Sequence, residues 1–140
     1  MENVVSQPPN PRTVRLLAAW LPFALYAALI FYLSGRPGSR LPDWWILHFD
    51  KVLHTVEYYG FGVLLARALR TSGSPLAPAC AWAVALACIF GATDEFHQSF
   101  VPGRQGNDLG DLLADNTGAI AGVISVALWA KQHRPREARA

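Results

Sequence analysis

Asp50, His54 and Glu57 stand at i, i+4 and i+7. In a helix that spacing puts all three on one face, and Tyr58 and Phe61 continue the stripe. A histidine between carboxylates has the composition for general acid–base chemistry. A second polar set is Asp94, Glu95, His97 and Gln98, with Asp94 and Gln98 at i, i+4 and Glu95 and Gln98 at i, i+3. A third is Asp108, Asp111 and Asp115, at i, i+3 and i+7, with Asn116 beside them. Clustered carboxylates can hold a divalent cation that polarises a phosphate. Arg104, in a Pro-Gly-Arg turn, offers a guanidinium that grips phosphate or carboxylate in bidentate fashion. The candidate catalytic residues are therefore His54, Glu57, Asp94 and Glu95. Candidate substrate-binding residues are Asp50, Lys51, Gln98, Arg104, Asp111 and Asn116. The cofactor stays open; if a divalent cation binds, Glu95, Asp94 and Asp111 are its donors. The order of these residues matches no known metal signature, and neither G-x-S-x-G nor H-E-x-x-H occurs.

Ordinary readings compete with each of these. An Asp or Lys at a membrane interface is often just solvated, and His54 with Glu57 can form a structural pair. Asp108 and Asp111 suit the positive end of a helix dipole. That does not account for Asp115 and Asn116, two turns further in. Gly118 and Gly122 form a small-xxx-small pair, for which helix packing is nearly the whole explanation.

The elements that carry these groups are apolar. Of 140 residues, 52% are hydrophobic and 16% charged, against about 25% charged in a soluble domain. The apolar residues come in blocks of roughly 20, the length that crosses a bilayer core. Residues 14–33 follow Arg12 and Arg15 and contain Pro22. They read as an uncleaved membrane helix, since the stretch exceeds a signal-peptide core and no convincing cleavage site follows. A turn-rich loop, 34–43, precedes Trp44 and Trp45, which suggest the membrane interface. Further helices are expected at about 50–69, 79–100 and 108–130, joined by a loop at 71–78 and a short turn at 101–107. The expected fold is all-α: a four-transmembrane-helix bundle over residues 12–131. A disordered tail (1–11) precedes it and a basic tail (132–140) follows. Cys80 and Cys88 share one helix about 12 Å apart, too far for a disulfide.

Four spans put both termini and the 71–78 loop on one side. That side holds eight of the twelve Lys and Arg residues, which places both termini in the cytoplasm of a cell whose membrane this is. The polar sets then lie toward the outside. Glu57 sits about 10 Å below Asp50 along the axis. An ionised acid at the bilayer centre costs roughly 2.5–3.5 kcal/mol, so Glu57 must be neutral, paired or solvated. The short turn at 101–107 forces an antiparallel hairpin, bringing Asp94, Glu95 and Gln98 level with Asp111 and Asp115. One pocket is expected to collect Asp50, Glu57, Asp94, Glu95, Asp108, Asp111 and Asp115. Shared protons, a metal ion or a cationic ligand must balance them.

Asp50-Lys51-x-x-His54, then Asp94-Glu95-x-x-Gln98-x-Phe100-x-Pro102-Gly103-Arg104, then Asp108-x-x-Asp111-x-x-x-Asp115-Asn116-x-Gly118 resembles the VanZ-like family of bacterial membrane proteins. The resemblance runs from about residue 50 to 122. It implies a small multi-helix protein of the bacterial cytoplasmic membrane. The family takes its name from a protein associated with reduced susceptibility to teicoplanin, which points to antibiotic resistance. The matching motif positions are His54, Asp94, Glu95, Gln98, Arg104, Asp111, Asn116 and Gly118.

Two main functions follow. The outward acidic site binds or acts on an envelope lipid, a cell-wall precursor or an amphipathic antimicrobial of the glycopeptide type, with Arg104 as anion clamp. Alternatively, a membrane-embedded hydrolase or transferase uses His54 and Glu57 as acid and base on lipid head groups. Transport is disfavoured because the acids stop on one side. A purely structural cluster is the remaining reading. The bilayer is a partner; nucleic acid is not, because the basic tail reads as an orientation signal. The sequence does not fix the oligomeric state.

Overall fold

The computed structural model describes residues 10–37 and 43–133, with residues 43–48 as backbone only. Four helices follow one another: α1 (Pro11–Ser34), α2 (Asp43–Thr71), α3 (Leu76–Gln98) and α4 (Leu109–Gln132). Among the described residues there is no strand. α1, α3 and α4 are each long and apolar enough to cross a membrane. The chain is an all-α, four-helix membrane protein.

The helix boundaries follow local chemistry. Asn10 accepts a hydrogen bond from the Arg12 N–H and caps α1, and Pro11 occupies the first turn. A proline there gives up no helix hydrogen bond. α1 thus begins inside the segment expected as a tail; residues 1–9 lie outside the described residues, as do 134–140 of the basic tail. α2 starts seven residues before the expected position, at Asp43 rather than about 50. After Pro42 no glycine or proline interrupts the chain until Gly60, so nothing stops the helix reaching back. α3 also starts early, at Leu76, with Pro78 tolerated in its first turn. Asp108 caps α4 by accepting from the Gly110 N–H.

α2 is the central helix and touches the other three. Its contact with α4 is a backbone seam. A Cβ on Gly118 would collide with the Thr55 carbonyl, one on Gly122 with the Tyr59 carbonyl, and one on Gly62 with the Ala119 carbonyl. Small residues at an interface let helix backbones approach closely, which drives association where lipid removes the hydrophobic incentive. The interior follows the same logic: Ala66, Ala68, Ala79, Ala83 and Ala87 are fully buried. A stacked aromatic core of Tyr58, Phe61 and Phe90 fills the centre. Large apolar residues point outward instead, with Leu25 62% and Ile89 63% exposed. Such an apolar exterior suits lipid, not water.

The helices alternate in direction. Trp20 of α1 donates to Ser72 at the far end of α2 (2.8 Å), and Tyr59 of α2 donates to Ser125 of α4 (3.1 Å). The C-termini of α1 and α3 and the N-terminal parts of α2 and α4 therefore share one end of the bundle. All three polar sets lie there.

Candidate functional site

The floor of this end is a histidine–carboxylate pair. His54 of α2 and Asp115 of α4 meet at 2.8 Å through Nδ1 and Oδ1. Asp115 is fully buried and His54 nearly so. The other ring nitrogen, Nε2, faces outward, 3.8 Å from Asp50 Oδ1 and 3.7 Å from Asp111 Oδ1. Gly118, one turn beyond Asp115, allows the close approach of α4 to α2 that brings the pair together.

Above the floor lies a charged rim. Lys51 Nζ donates to Asp108 (3.0 Å) and Asp111 and lies 3.5 Å from Asp50. Lys51 is 42% exposed, Asp50 29% and Asp108 34%, whereas the Asp111 side chain is 7% exposed. Three acids around one ammonium leave a net negative rim. Asp108 lies in the loop before α4. The Lys51 ammonium, followed by the Gly110 N–H, holds its carboxyl below the ordinary carboxylate value.

Glu95 ties the α3–α4 loop to this floor. Its Oε2 accepts from the Asp108 N–H (2.9 Å) and its backbone carbonyl accepts from the Asn107 N–H (3.3 Å). Asn107 takes a left-handed φ of 62° to make this turn, and Gly106 lies against the Ser99 backbone where no side chain would fit. Among the described residues the remaining Glu95 oxygen, Oε1, is buried without a partner, as are Asp115 Oδ2, Tyr58 Oη and Asn116 Oδ1.

Asp94 belongs to a neighbouring network. Its Oδ1 accepts from Ser34 Oγ of α1 and its Oδ2 from Gln98 Nε2 (3.1 Å). All three residues are buried. Arg104 joins the same side of the bundle differently. Its guanidinium donates to the Leu33 carbonyl (3.0 Å) and the Arg36 carbonyl (3.1 Å), closing the C-terminal end of α1. His97 stacks on Phe31 with ring centroids 4.2 Å apart.

The structure thus brings together Asp50, Lys51, His54, Glu95, Asp108, Asp111 and Asp115. Glu57 is half-buried, and its backbone carbonyl accepts from Tyr26 Oη (3.1 Å); the hydrogen-bond partner of His54 is Asp115, not Glu57. Among the described residues two donor groups lie compactly enough for a metal ion: Asp50, His54 and Asp111 at the rim, and His54, Glu95 and Asp115 at the floor. Of the sequence-derived donors, Glu95 and Asp111 fall in separate groups and Asp94 in neither. Sequence reading missed Ser34, which ends an apolar run and read as the start of a loop. It placed Tyr58, at i+4 from His54, on the stripe of the helix face without giving it a role.

Chemically, a histidine oriented by a buried carboxylate can accept or donate a proton through its outer nitrogen. The acidic rim can hold a cationic group, and Lys51 an anionic one. Two grooves open nearer the other end, one beside Tyr59, Arg67 and Trp129 and one beside Arg15, Pro22 and Leu64; neither touches the polar cluster.

No curated protein and no solved structure gives a significant match. Residues 3–130 match the model of the VanZ/LLP1 family. With nearly the whole chain covered, and with His54, Asp94, Glu95, Gln98, Arg104, Asp111, Asn116 and Gly118 set around or against one polar end, the chain belongs to the VanZ/LLP1 family.

Proposed function

We propose that the protein binds an amphipathic envelope ligand at its polar end, from the outer face of the bacterial cytoplasmic membrane, with both termini in the cytoplasm. The ligand class is a lipid head group, a cell-wall precursor or a glycopeptide-type antimicrobial carrying an ammonium group. One observation carries this reading: Asp50, Asp108 and Asp111 surround a single half-exposed ammonium, that of Lys51. An incoming ammonium adds charge balance at such a rim, while the ligand's apolar part stays in lipid. Arg104 donates to α1 carbonyls, so it supports the site as a brace; service as an anion clamp requires it to leave them.

The test compares glycopeptide and lipopeptide susceptibility of cells lacking the protein, cells expressing it, and cells expressing Asp111→Asn at equal membrane levels. Expression is expected to change susceptibility and Asp111→Asn to abolish the change. Unchanged susceptibility in all three, with no binding of labelled ligand to the purified protein, removes the reading.

A second reading is a hydrolase or transferase acting on lipid head groups. The His54–Asp115 pair favours it, because the carboxylate fixes the ring and leaves Nε2 toward the rim. His54 is then the acid–base and Asp115 its positioning residue. Release of phosphate or head group from lipid vesicles, lost in His54→Gln, supports this reading; no turnover by well-folded protein ends it.

A further inference from the structure

We propose that His54, Glu95 and Asp115 form a buried binding site for one divalent transition-metal ion of the Zn²⁺ or Mn²⁺ type. The donor atoms of the three residues lie within 4.8 Å of one another, and all three side chains are buried. Burial alone does not make a site. The second observation is the state of the oxygens. Each carboxylate has one bare oxygen: Glu95 Oε1 and Asp115 Oδ2 have no partner among the described residues, while Glu95 Oε2 accepts from the Asp108 N–H and Asp115 Oδ1 meets His54 Nδ1. Glu95 is 3% exposed and Asp115 0%. Buried polar atoms are nearly always satisfied, so two orphaned oxygens beside one imidazole call for an occupant. The Asp108 N–H holds one oxygen of Glu95 and leaves the other for the ion, the way outer contacts orient metal ligands.

The charge count selects a divalent ion. Two carboxylates and a neutral imidazole neutralise it, which a buried site requires. The Lys51 ammonium is engaged by the rim acids. That same ammonium weakens the rival group, Asp50, His54 and Asp111, since Lys51 already donates to Asp111 and lies beside Asp50. One nitrogen and two oxygen donors suit Zn²⁺ or Mn²⁺ better than Ca²⁺ or Mg²⁺, which prefer shells made wholly of oxygen. Gly91 of α3 lies beside the bare oxygen: a Cβ there would stand 3.4 Å from Asp115 Oδ2 and 3.4 Å from the Tyr58 ring. Nδ1 of His54 must present its lone pair to the ion, so on binding its contact with Asp115 Oδ1 gives way and the neutral ring keeps its proton on Nε2, on the side of Asp50 and Asp111. The ion site shares His54 with the rim group but uses none of the rim acids Asp50, Asp108 and Asp111.

The experiment uses the full chain purified in detergent without chelators. Metal analysis is expected to find on the order of one Zn²⁺ or Mn²⁺ per chain. Chelation followed by Zn²⁺ is expected to raise the unfolding temperature. Co²⁺ in place of the native ion is expected to give visible d–d absorption. Glu95→Gln and Asp115→Asn should each weaken Co²⁺ binding at least about tenfold, and Asp50→Asn, which touches only the rim group, should retain it. Wild-type protein that is metal-free and takes up none of these ions saturably overturns the proposal, and needs no variant to fold. Loss in Asp50→Asn with retention in Glu95→Gln moves the ion to the rim and overturns it too. Metal binding with unchanged antimicrobial susceptibility upholds the ion site while the rim reading fails.

Discussion

His54 Nδ1 and Asp115 Oδ1 lie 2.8 Å apart across the seam between α2 and α4, with Asp115 fully buried. This one contact joins the helix that carries the rim residues Asp50 and Lys51 to the helix that carries the rim acid Asp111 and is capped by Asp108. Because a single truncation leaves the other group buried and unmatched, the pair is best measured as a coupling. A double-mutant cycle of His54→Ala and Asp115→Ala is expected to give about 1–2 kcal/mol, the upper part of the range for interhelical hydrogen bonds in membranes. Unfolding in mixed micelles or bicelles reads it. Additive single effects would show that the two side chains do not interact.

The glycine seam tolerates no added atoms. Gly118→Ala and Gly122→Ala each place a methyl group against a backbone carbonyl of α2, which cannot move aside as a side chain end can. Each is expected to destabilise the protein by about 1–3 kcal/mol, the usual cost of overpacking. Thr117→Ala, on the exposed side of α4, should stay within about 0.5 kcal/mol. Equal effects at Gly118 and Thr117 would remove the seam as a source of stability.

Asp108 gives a pH signature outside the helices. Its carboxyl is held below the ordinary value of 3.8, first by the Lys51 hydrogen bond and then by the Gly110 N–H. A group depressed in the folded state stabilises the protein above its unfolded pKa and loses that contribution as pH falls through the folded one. Asp108→Asn keeps a capping side chain and removes only the charge. The variant is expected to be less stable than wild type at neutral pH. The gap should close as the solution is acidified below about pH 4. Thermal unfolding across that range tests it; a gap constant with pH would separate Asp108 from Lys51.

Arg104 carries a geometric prediction. Its two donors reach carbonyls three residues apart, Leu33 and Arg36. Arg104→Ala is expected to cost about 1–2 kcal/mol, as for a hydrogen bond with one charged partner at a half-exposed position. It should also speed amide exchange at the C-terminal end of α1. Lysine lacks the planar fork and should restore only part of the loss. Unchanged exchange would free Arg104 for a ligand.

Much of this arrangement was legible from residue spacing. His54 falls four residues after Asp50, and Asp111 and Asp115 fall four apart, so each pair had to share a helix face. The short connection through Pro102 and Gly103 fixed the level of Glu95 against the start of α4. What spacing could not supply was choice of partner. Glu57 and Asp115 were both acids within reach of His54, and only the closeness of α4 at Gly118 favours the second. Nor could it assign Ser34, because a serine ending an apolar run signals a loop until another helix is packed against it. The early start of α2 escaped for a related reason: the paired tryptophans marked a boundary of the membrane, which need not be a boundary of the helix.

The glycine seam has a consequence for biosynthesis. Among the described residues α2 is not one of the three helices long and apolar enough to cross a membrane by length and composition, and α4, which packs against it through the glycine seam, is synthesised after it. A nascent chain stopped before residue 109 therefore has no Asp115 to meet His54 and no Gly118 to shelter Thr55. Burial of His54 and Thr55 waits until the fourth helix has been made.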